Sequence, residues 1–255
     1  MNILLSNDDG IFSPGIHALA RAVQGVAKRV LIVAPDVEQS ASGHSITIRR
    51  PLRYTRTRLR ELPGIEAYRV DGTPADCVVL GVHNGGRPDV LVSGINIGPN
   101  LGYAVTHSGT VAAAIEATTL GIPAIAISLQ TGDGELDFQY AADFAARLVS
   151  EITRHGLPER TLLNVNFPIG RPKGVTVSRQ STYTYQDAVV KRTDPDGIPY
   201  YWVSGTPKGT PEPDTDFTAV TSGYATITPL RLDLTDEGFL AELSPIASLL
   251  TQQQP

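Results

Sequence analysis

The sequence predicts an α/β fold with a doubly wound, mostly parallel β-sheet. In the first half of the chain, short runs of apolar and β-branched residues alternate with segments whose apolar residues recur at helical spacing. Four strands and four helices follow one another in this way, and such alternation is typical of a parallel sheet covered by helices. The predicted strands cover residues 2–6, 29–34, 89–93 and 124–129.

Local signals place the helices between these strands. Pro14 stands at the start of the first helix, where its missing N–H costs nothing. Thr73, followed by a proline, is a suitable cap for the second helix, and the third follows Ser108 and ends before Gly121. The fourth helix is amphipathic and ends in an Arg-His-Gly sequence. The predicted helices cover residues 14–26, 73–82, 111–117 and 137–155.

Beyond about residue 160 the alternation gives way to β-prone segments and turns. We therefore expect a single domain over residues 1–255, with a core over 1–160 and a C-terminal part over 161–255 that ends in a helix. Further strands are predicted at residues 162–167, 175–178, 187–192 and 199–203.

The turn Asp194-Pro195-Asp196-Gly197 separates two of these strands and predicts a projecting β-hairpin near residues 186–204. Aromatic residues at high density indicate a contact between subunits, because tyrosine and tryptophan are enriched in interfaces. The alternative is a small local core beneath the hairpin. Five of the 16 aromatic residues fall around the hairpin, namely Tyr183, Tyr185, Tyr200, Tyr201 and Trp202.

Composition restricts the possible partners of the chain. Its 255 residues are 41% hydrophobic, which is sufficient for a packed core, and carry a formal net charge of −5. Nucleic acids and anionic membranes attract basic proteins, so this acidity predicts no nucleic-acid polymer and no membrane as the main partner. Cys77 is the only cysteine, which excludes an intrachain disulfide and a cysteine-rich zinc site. The chain starts without a basic, apolar leader and has no apolar run of about 20 residues, so we expect a cytoplasmic protein.

Polar residues follow three of the predicted strands, at the edge of the sheet where ligands bind. Asp8 and Asp9 follow the first strand, Ser40 follows the second, and Asn96 follows the third. Two adjacent carboxylates repel each other unless a proton or a cation lies between them. An Asp-Gly sequence after a strand is also compatible with an ordinary turn. With the neutral oxygens of Ser40 and Asn96, the two aspartates predict a site for a hard divalent ion, magnesium or manganese rather than zinc.

The segment Ser108-Gly109-Thr110 precedes the third helix and predicts an anion site. The first N–H groups of a helix have no partner inside it, and the helix dipole adds partial positive charge there. Glycine allows close approach and the two hydroxyls add donors, which suits a phosphate. The alternative is that Ser108 is an ordinary N-cap. A cation site opposite such a helix end is typical of phosphoryl transfer.

An arginine-rich segment is a further feature of the sequence. It holds arginines at positions 49, 50, 53, 56, 58 and 60. These arginines could receive a phosphorylated substrate tail, but we interpret them as a solvated strand face. Cys77 lies in an apolar helix and is interpreted as a core residue. The chain has no dinucleotide-binding fingerprint, no phosphate loop and no nucleophile elbow.

Five sequence blocks occur in a fixed order: Ser-Asn-Asp-Asp-Gly-Ile at 6–11, Ala-Pro-Asp at 34–36 with Gln-Ser-Ala-Ser-Gly-His-Ser-Ile-Thr at 39–47, Gly-Thr-Pro-Ala-Asp-Cys-Val at 72–78, Val-Ser-Gly-Ile-Asn at 92–96 with Gly-Pro-Asn at 98–100, and His-Ser-Gly-Thr-Val at 107–111. Together they closely resemble the SurE family of survival-protein nucleotidases. The resemblance covers essentially the whole chain. It is densest through residue 128 and weaker over 216–230.

The resemblance implies a Rossmann-like core and a metal-dependent phosphomonoesterase. Such an enzyme acts on nucleoside 5′- and 3′-monophosphates and, in some members, on polyphosphate. One divalent ion per subunit, manganese or magnesium, is implied, with Asp8, Asp9, Ser40 and Asn96 as its ligands. Homodimers or homotetramers formed through exchange of the C-terminal part and the hairpin are implied as well.

The corresponding mechanism uses a water activated by the metal as nucleophile. Asp8 could instead orient that water as a base, or attack directly. His44 or His107 is the candidate general acid, although a structural role is the alternative for each. The candidate catalytic residues are Asp8, Asp9 and Asn96, and the candidate phosphate-binding residues are Ser108, Gly109, Thr110 and Asn96.

Two alternatives belong to other functional classes. A receiver-type signalling domain also has an acidic pair after its first strand, but it requires a phospho-accepting aspartate at the end of the third strand and a lysine near the end of the fifth. Here the strand at 89–93 ends in Ser93-Gly94, and none of the four lysines is well placed. The second alternative is a nucleotide-binding module without catalytic activity.

Overall fold

A computed structural model describes residues 1–132, 134, 136–208 and 210–252 of the chain. The strands in these residues are β1 (Asn2–Ser6), β2 (Arg29–Pro35), β3 (Tyr54–Arg56), β4 (Glu66–Val70), β5 (Val90–Ile97), β6 (Ala124–Leu129), β7 (Thr161–Phe167), β8 (Val175–Val177), β9 (Thr184–Thr193), β10 (Pro199–Lys208) and β11 (Ala225–Arg231). The α-helices are α1 (Pro14–Val23), α2 (Pro74–Gly85), α3 (Gly109–Thr119), α4 (Gln139–His155), α5 (Asp216–Thr221) and α6 (Glu237–Gln252).

The main sheet has the strand order β3-β4-β2-β1-β5-β6-β7-β11-β8. The six strands from β4 to β7 in this order are parallel, whereas β3 and β11 run antiparallel to their neighbours β4 and β7. The predicted α/β fold with a mostly parallel, doubly wound, Rossmann-like sheet is therefore confirmed. The direction of winding reverses between β1 and β5, and ligands bind at such a reversal in open sheets of this type.

Helices cover both faces of the sheet, which explains why the central strands read as continuous apolar runs. On β1, Ile3 and Leu5 face the cluster that contains α1 and α4, whereas Leu4 faces the cluster that contains α2 and α3. Cys77 lies in the second cluster and is fully buried, and this burial raises the pKa of its thiol well above the usual value. Among the described residues, none of the helices has the length and apolar character needed to span a bilayer.

Two short strands at one end of the sheet depart from the predicted alternation. Between β2 and α2 the chain forms β3 and β4, which the sequence analysis did not predict. Both strands are short and mix arginine and glutamate with tyrosine, so they lack the apolar run of a central strand. At the other end of the core sheet, β11 was also missed as a strand, although it pairs with β7 over six residue pairs.

The strand β5 also extends further than predicted. The sequence indicated an end at Ser93, because a glycine in a strand usually marks a break. In the structure β5 continues to Ile97, with an irregular register between Ser93 and Asn96. A Cβ atom on Gly94 would lie 2.3 Å from the carbonyl oxygen of Ile127, so the glycine permits close contact with β6. This irregularity carries Asn96 beyond the reversal point of the sheet.

The predicted hairpin corresponds to β9 and β10, which pair from Thr193 and Pro199 back to Thr184 and Lys208 in a separate two-stranded sheet. Its aromatic residues divide between the two interpretations of the sequence. Tyr183 is buried and stacks on Phe217 in a small apolar cluster, with ring centroids 4.2 Å apart. Tyr200, Tyr201 and Trp202 are exposed. The side chain of Tyr185 lies outside the described part of the structure.

The contact between α1 and β5 gives a direct test of this packing. Gly15 lies in the first turn of α1, and a Cβ atom there would lie 2.0 Å from the carbonyl oxygen of Ile95. Replacing glycine by alanine in a helix normally stabilises it, but here we expect Gly15→Ala to lower the free energy of unfolding by about 1–3 kcal/mol through overpacking. Denaturant unfolding of the variant measures this difference.

Gly25 provides the matched control, because it is exposed and a Cβ atom there has its nearest neighbour 4.0 Å away. We expect Gly25→Ala to be neutral or slightly stabilising. Equal stability of Gly15→Ala and the wild type would contradict the close contact of α1 with β5.

Candidate active site

The candidate site lies where β1, β2, β5 and the start of α3 meet. The carbonyl oxygen of Asp8 accepts a hydrogen bond from the backbone N–H of Gln39, at 2.8 Å, which ties the end of β1 to the loop after β2. The Asp9 carboxylate accepts a hydrogen bond from the backbone N–H of Ile97, at 3.3 Å, which ties it to the end of β5. The two aspartates therefore lie at the reversal point of the sheet, as the sequence predicts.

Asp8 occupies the amino end of α3. Its side chain is 4% exposed and accepts hydrogen bonds from the Thr110 hydroxyl and from the backbone amides of Gly109 and Thr110. These bonds and the helix dipole favour the carboxylate. Burial nevertheless raises the pKa of Asp8 above its usual value, because the loss of hydration outweighs the bonds. The anion at this helix end in the structure is thus the protein's own carboxylate.

Gly109 makes this contact possible. A Cβ atom at this position would lie 2.8 Å from the Cβ of Asp8 and 2.9 Å from the Oγ of Ser42. Contacts this short are essentially never seen, so only glycine allows the helix to approach the aspartate. Ser42 itself is notable, because its hydroxyl is buried and has no hydrogen-bond partner among the described residues.

The Ser108-Gly109-Thr110 segment therefore differs from the expectation of free donors for a ligand. The Ser108 hydroxyl accepts a hydrogen bond from the backbone N–H of Val111, at 3.1 Å, and is an N-cap of α3. The amides of Gly109 and Thr110 bind Asp8. Helical periodicity locates a helix end but carries no information about which anion faces it, and for this reason the sequence did not reveal the contact.

Asp9 is less buried than Asp8, but its pKa is also raised. Burial raises the pKa of Asp9 to about 7, with further contributions from the negative charges of Asp8 and Glu38, while the N–H of Ile97 opposes the shift. The site thus concentrates negative charge that no cation of the described chain balances by a salt bridge. A bound cation would relieve this repulsion.

Asn96 and Ser40 are each adjacent in the chain to a residue whose N–H binds one of the two aspartates, Ile97 and Gln39 respectively. The Asn96 side-chain amide donates to the carbonyl oxygen of Gly98, at 2.8 Å, and its Oδ1 accepts no hydrogen bond from the described residues. Ser40 follows Gln39, whose backbone binds Asp8, but the Ser40 hydroxyl is exposed and donates to Glu38 Oε1 at 2.6 Å. Asn96 therefore keeps its side-chain oxygen free of hydrogen bonds, whereas the Ser40 hydroxyl is bound to a carboxylate.

Glu38 and Ser42 are site residues that the sequence analysis missed. Glu38 adds a third negative charge near Asp9, and Ser42 adds a buried hydroxyl beside Gly109. Both lie in the polar segment that follows β2, and their position after a strand end was the feature of the sequence that could have identified them.

The two candidate histidines have different surroundings. His44 Nε2 lies 2.8 Å from Glu116 Oε2 on α3, so this imidazole is held by a carboxylate. His107 is exposed and directly precedes the Ser108 cap, and its carbonyl oxygen accepts a hydrogen bond from Gly43 N–H at 2.9 Å. Its imidazole makes no hydrogen bond within the described chain, so His107 is the freer of the two as a proton donor.

A buried amide network holds the loop that follows Asn96. Asn100 donates its backbone N–H to Asn166 Oδ1 at 2.8 Å and its side-chain amide to Ser128 Oγ at 2.9 Å. The Asn164 side chain donates to the Asn100 carbonyl oxygen, also at 2.8 Å. Buried polar groups paired in this way fix one conformation, because each broken bond leaves an unsatisfied group. The network thus positions the loop between β5 and α3 from the neighbouring strands β6 and β7.

The donor set is suitable for a hard divalent ion. Within the described residues, no group of three or more histidine, cysteine, aspartate or glutamate side chains converges on one metal position. An ion at Asp8 and Asp9 would therefore need neutral oxygens as well, and the free Oδ1 of Asn96 is one. Ligand sets made only of oxygen favour magnesium or manganese over zinc.

Comparisons with known proteins identify the family of the chain. The family described as "Survival protein SurE" matches residues 3–187. A Thermus thermophilus protein named "5'-nucleotidase SurE 1" is 59% identical over 244 residues, covering 96% of this chain and 97% of its own length. A Deinococcus radiodurans protein named "5'-nucleotidase SurE" is 55% identical over 245 residues, covering 95% of this chain and 91% of its own length.

The fold is similar to a solved structure as well. The crystal structure of the SurE protein from Aquifex aeolicus superposes with a TM-score of 0.82 at 41% sequence identity, and the match covers 97% of this chain and 100% of that one. Sequence and structure thus agree along almost the whole length. The chain belongs to the SurE family.

Proposed function

We propose that this protein is a nucleotidase that hydrolyses nucleoside 5′-monophosphates to nucleoside and phosphate with the aid of a divalent ion. The observation that carries the proposal is the pair Asp8 and Asp9, held together at the reversal point of the sheet with raised pKa values. Relatives named 5'-nucleotidase support the choice of substrate. Nucleoside 3′-monophosphates and short polyphosphate are further proposed substrates, and the cytoplasm is the proposed location.

Asp8, Asp9 and Asn96 would hold the ion, and Ser40 would join them after its hydroxyl turns away from Glu38. When bound, a manganese or magnesium ion supplies positive charge that stabilises the transferred phosphoryl group and favours attack by water. The residues themselves provide the fixed geometry. The Asp8 carboxylate is bound by the Thr110 hydroxyl and lies beside the first amides of α3, so it can act as an oriented acceptor for the attacking water.

The substrate phosphate would lie between these acids and the start of α3. Ser108 can donate its hydroxyl hydrogen outward while its oxygen caps the helix. With a cation bound, the negative charge of Asp8 would be partly neutralised. The backbone amides of Gly109 and Thr110, which face Asp8, would then be able to donate to a phosphate oxygen as well. His107 is the proposed donor of the proton to the leaving alkoxide, because His44 is held by Glu116.

Turnover tests the function directly. We expect release of inorganic phosphate from nucleoside 5′-monophosphates in manganese or magnesium, complete loss with a chelator and recovery when the ion is restored, because the acids need a cation to accept a phosphate. A phosphate-release assay over a panel of nucleotides and short polyphosphate measures this. Stable self-phosphorylation would instead indicate a receiver-type domain, and nucleotide binding without either reaction a non-catalytic module.

Asp9→Asn separates catalysis from stability. Without the second carboxylate we expect turnover to fall by about 100-fold or more, together with weaker binding of manganese. In the absence of metal, by contrast, Asp9→Asn should raise the free energy of unfolding at alkaline pH. The pKa of Asp9 is raised from 3.8 to about 7, so its contribution to stability is present at low pH and is lost as the pH rises through this window.

At pH 8 the metal-free Asp9→Asn protein should therefore be more stable than the wild type, by about 1–3 kcal/mol after allowance for solvent screening. Thermal unfolding in chelator at pH 5 and pH 8 measures the difference. Asp196→Asn, in the exposed hairpin turn, is the matched control and should change neither activity nor stability. Full activity and unchanged manganese affinity in Asp9→Asn would refute the assignment.

We also propose that the protein is a homodimer or homotetramer. Trp202 is 62% exposed and lies among exposed Tyr201 and Val203 on the hairpin, and α6 leaves Leu243 and Leu249 exposed. Light scattering should give two or four times the chain mass of 27.2 kDa. Trp202→Glu should shift the mass towards the monomer, because a charge opposes burial in an interface. Ile48→Glu, at an exposed position far along the chain, is the control, and a monomeric wild type would contradict the proposal.

A further inference from the structure

The arginine-rich segment that the sequence analysis interpreted as a solvated strand face has a definite arrangement in the structure. Arg56, Arg58 and Arg60 are exposed, whereas Thr57 and Leu59 between them are buried. Arg56 ends β3, residues 57–59 follow it without regular structure and Arg60 lies in a turn, so exposure alternates along the segment and the three arginine side chains lie at the protein surface. The alternation is consistent with the predicted strand face, but it also concentrates positive charge.

These three arginines line a cleft of about 1020 Å³ in the connection between β3 and β4. We call it the arginine cleft; it is lined by Arg56–Arg60 and Leu62–Glu66. The exposed Pro63 and the half-buried Ile65 form the apolar floor of the cleft, and Leu59 and Leu62 lie beneath them in the main core. The cleft thus combines an apolar surface with positive groups, and its size lies at the upper end of the range for small-molecule sites.

The three arginines of the cleft form no ion pair with the described residues. Arg29 pairs with Glu66 and Arg50 pairs with Asp71. Arg56, Arg58 and Arg60 have neither a salt bridge nor a hydrogen bond to the described residues, although the charge of Arg56 acts on Glu66. Glu66, which also lines the cleft, is already paired with Arg29, so in a chain with a formal net charge of −5 the three arginines form a local positive field that attracts anions.

The arginine cleft is separate from the candidate active site. Strand β4 is parallel to β2, so the connection that enters β4 meets the sheet at its amino edge. Asp8 and Asp9 follow the carboxyl end of β1, at the opposite edge. None of the residues that line the cleft belongs to the site around these aspartates.

We propose that the arginine cleft is a second anion-binding site, which takes a nucleoside di- or triphosphate. Several phosphate charges match the three guanidinium groups, which bind phosphate oxygens through paired N–H donors. The apolar floor of Pro63 and Ile65 suits a planar base. A longer anionic polymer is the weaker match, because the positive charge is confined to this cleft and the chain as a whole is acidic.

Calorimetric titration of the intact protein with ATP, in chelator and at low salt, tests the proposal without any turnover. We expect saturable binding with one ATP per chain. The double variant Arg58→Gln/Arg60→Gln should weaken this binding by about tenfold or more, because two charge-assisted contacts are lost. The matched control is Arg49→Gln/Arg171→Gln, which removes the same charge at exposed positions outside the cleft and should leave the affinity within about twofold.

Two further probes examine the chemistry of the ligand. Tripolyphosphate should bind more weakly than ATP, because it makes no contact with the apolar floor, and equal affinity would contradict the role of the floor. Binding of single-stranded RNA by a protein that does not bind ATP would contradict the choice of a small nucleotide. Absence of ATP binding, or equal weakening in the cleft variant and the control variant, would overturn the proposal. Because chelator abolishes the proposed nucleotidase reaction, this result is independent of that activity.

Discussion

The docking of the Asp8 carboxylate onto the first turn of α3 is the interaction on which the site depends. It requires that β1 end at the point where α3 begins, and it requires a glycine at position 109, because a Cβ atom there would collide with Asp8. The hydroxyl of Thr110 and two backbone amides then hold the carboxylate in one orientation. A strand end and a helix end are thereby joined through a single buried acid.

This arrangement has an electrostatic consequence for the neighbouring residue. Asp8 is supported by donors, but Asp9 faces the charge of Asp8 with one backbone N–H as its partner and with Glu38 nearby. The two carboxylates therefore repel each other unless a cation or a proton lies between them, and this repulsion favours binding of a metal ion. Natural proteins accept such local instability where it serves function, and stabilise the surroundings instead. Here the buried amide network around Asn100 supplies that support.

Much of the fold could be predicted because its central strands are buried on both faces. Strands β1 and β6 occupy the residues expected from their apolar runs. Pro14 as the first residue of α1 and Thr73 as the cap of α2 mark the starts of these helices correctly. The strands β3 and β4 at one end of the sheet were missed, because they are short and only partly buried and therefore lack an apolar run. The extension of β5 past Gly94 was missed as well, since the close contact with Ile127 that requires the glycine is tertiary. For the site, the position of Asp8 and Asp9 after β1 predicted that they lie at the reversal point of the sheet, but the contact of Asp8 with the start of α3 depends on three-dimensional packing alone.

The most direct measurement is the anomalous scattering of a crystal of the protein soaked in manganese. An ion should bind between the carboxylates of Asp8 and Asp9, with Asn96 Oδ1 among its neighbours, while Asp8 keeps its contact with α3. An intact pocket without a manganese peak beside these acids would contradict the claim that the two carboxylates share a cation.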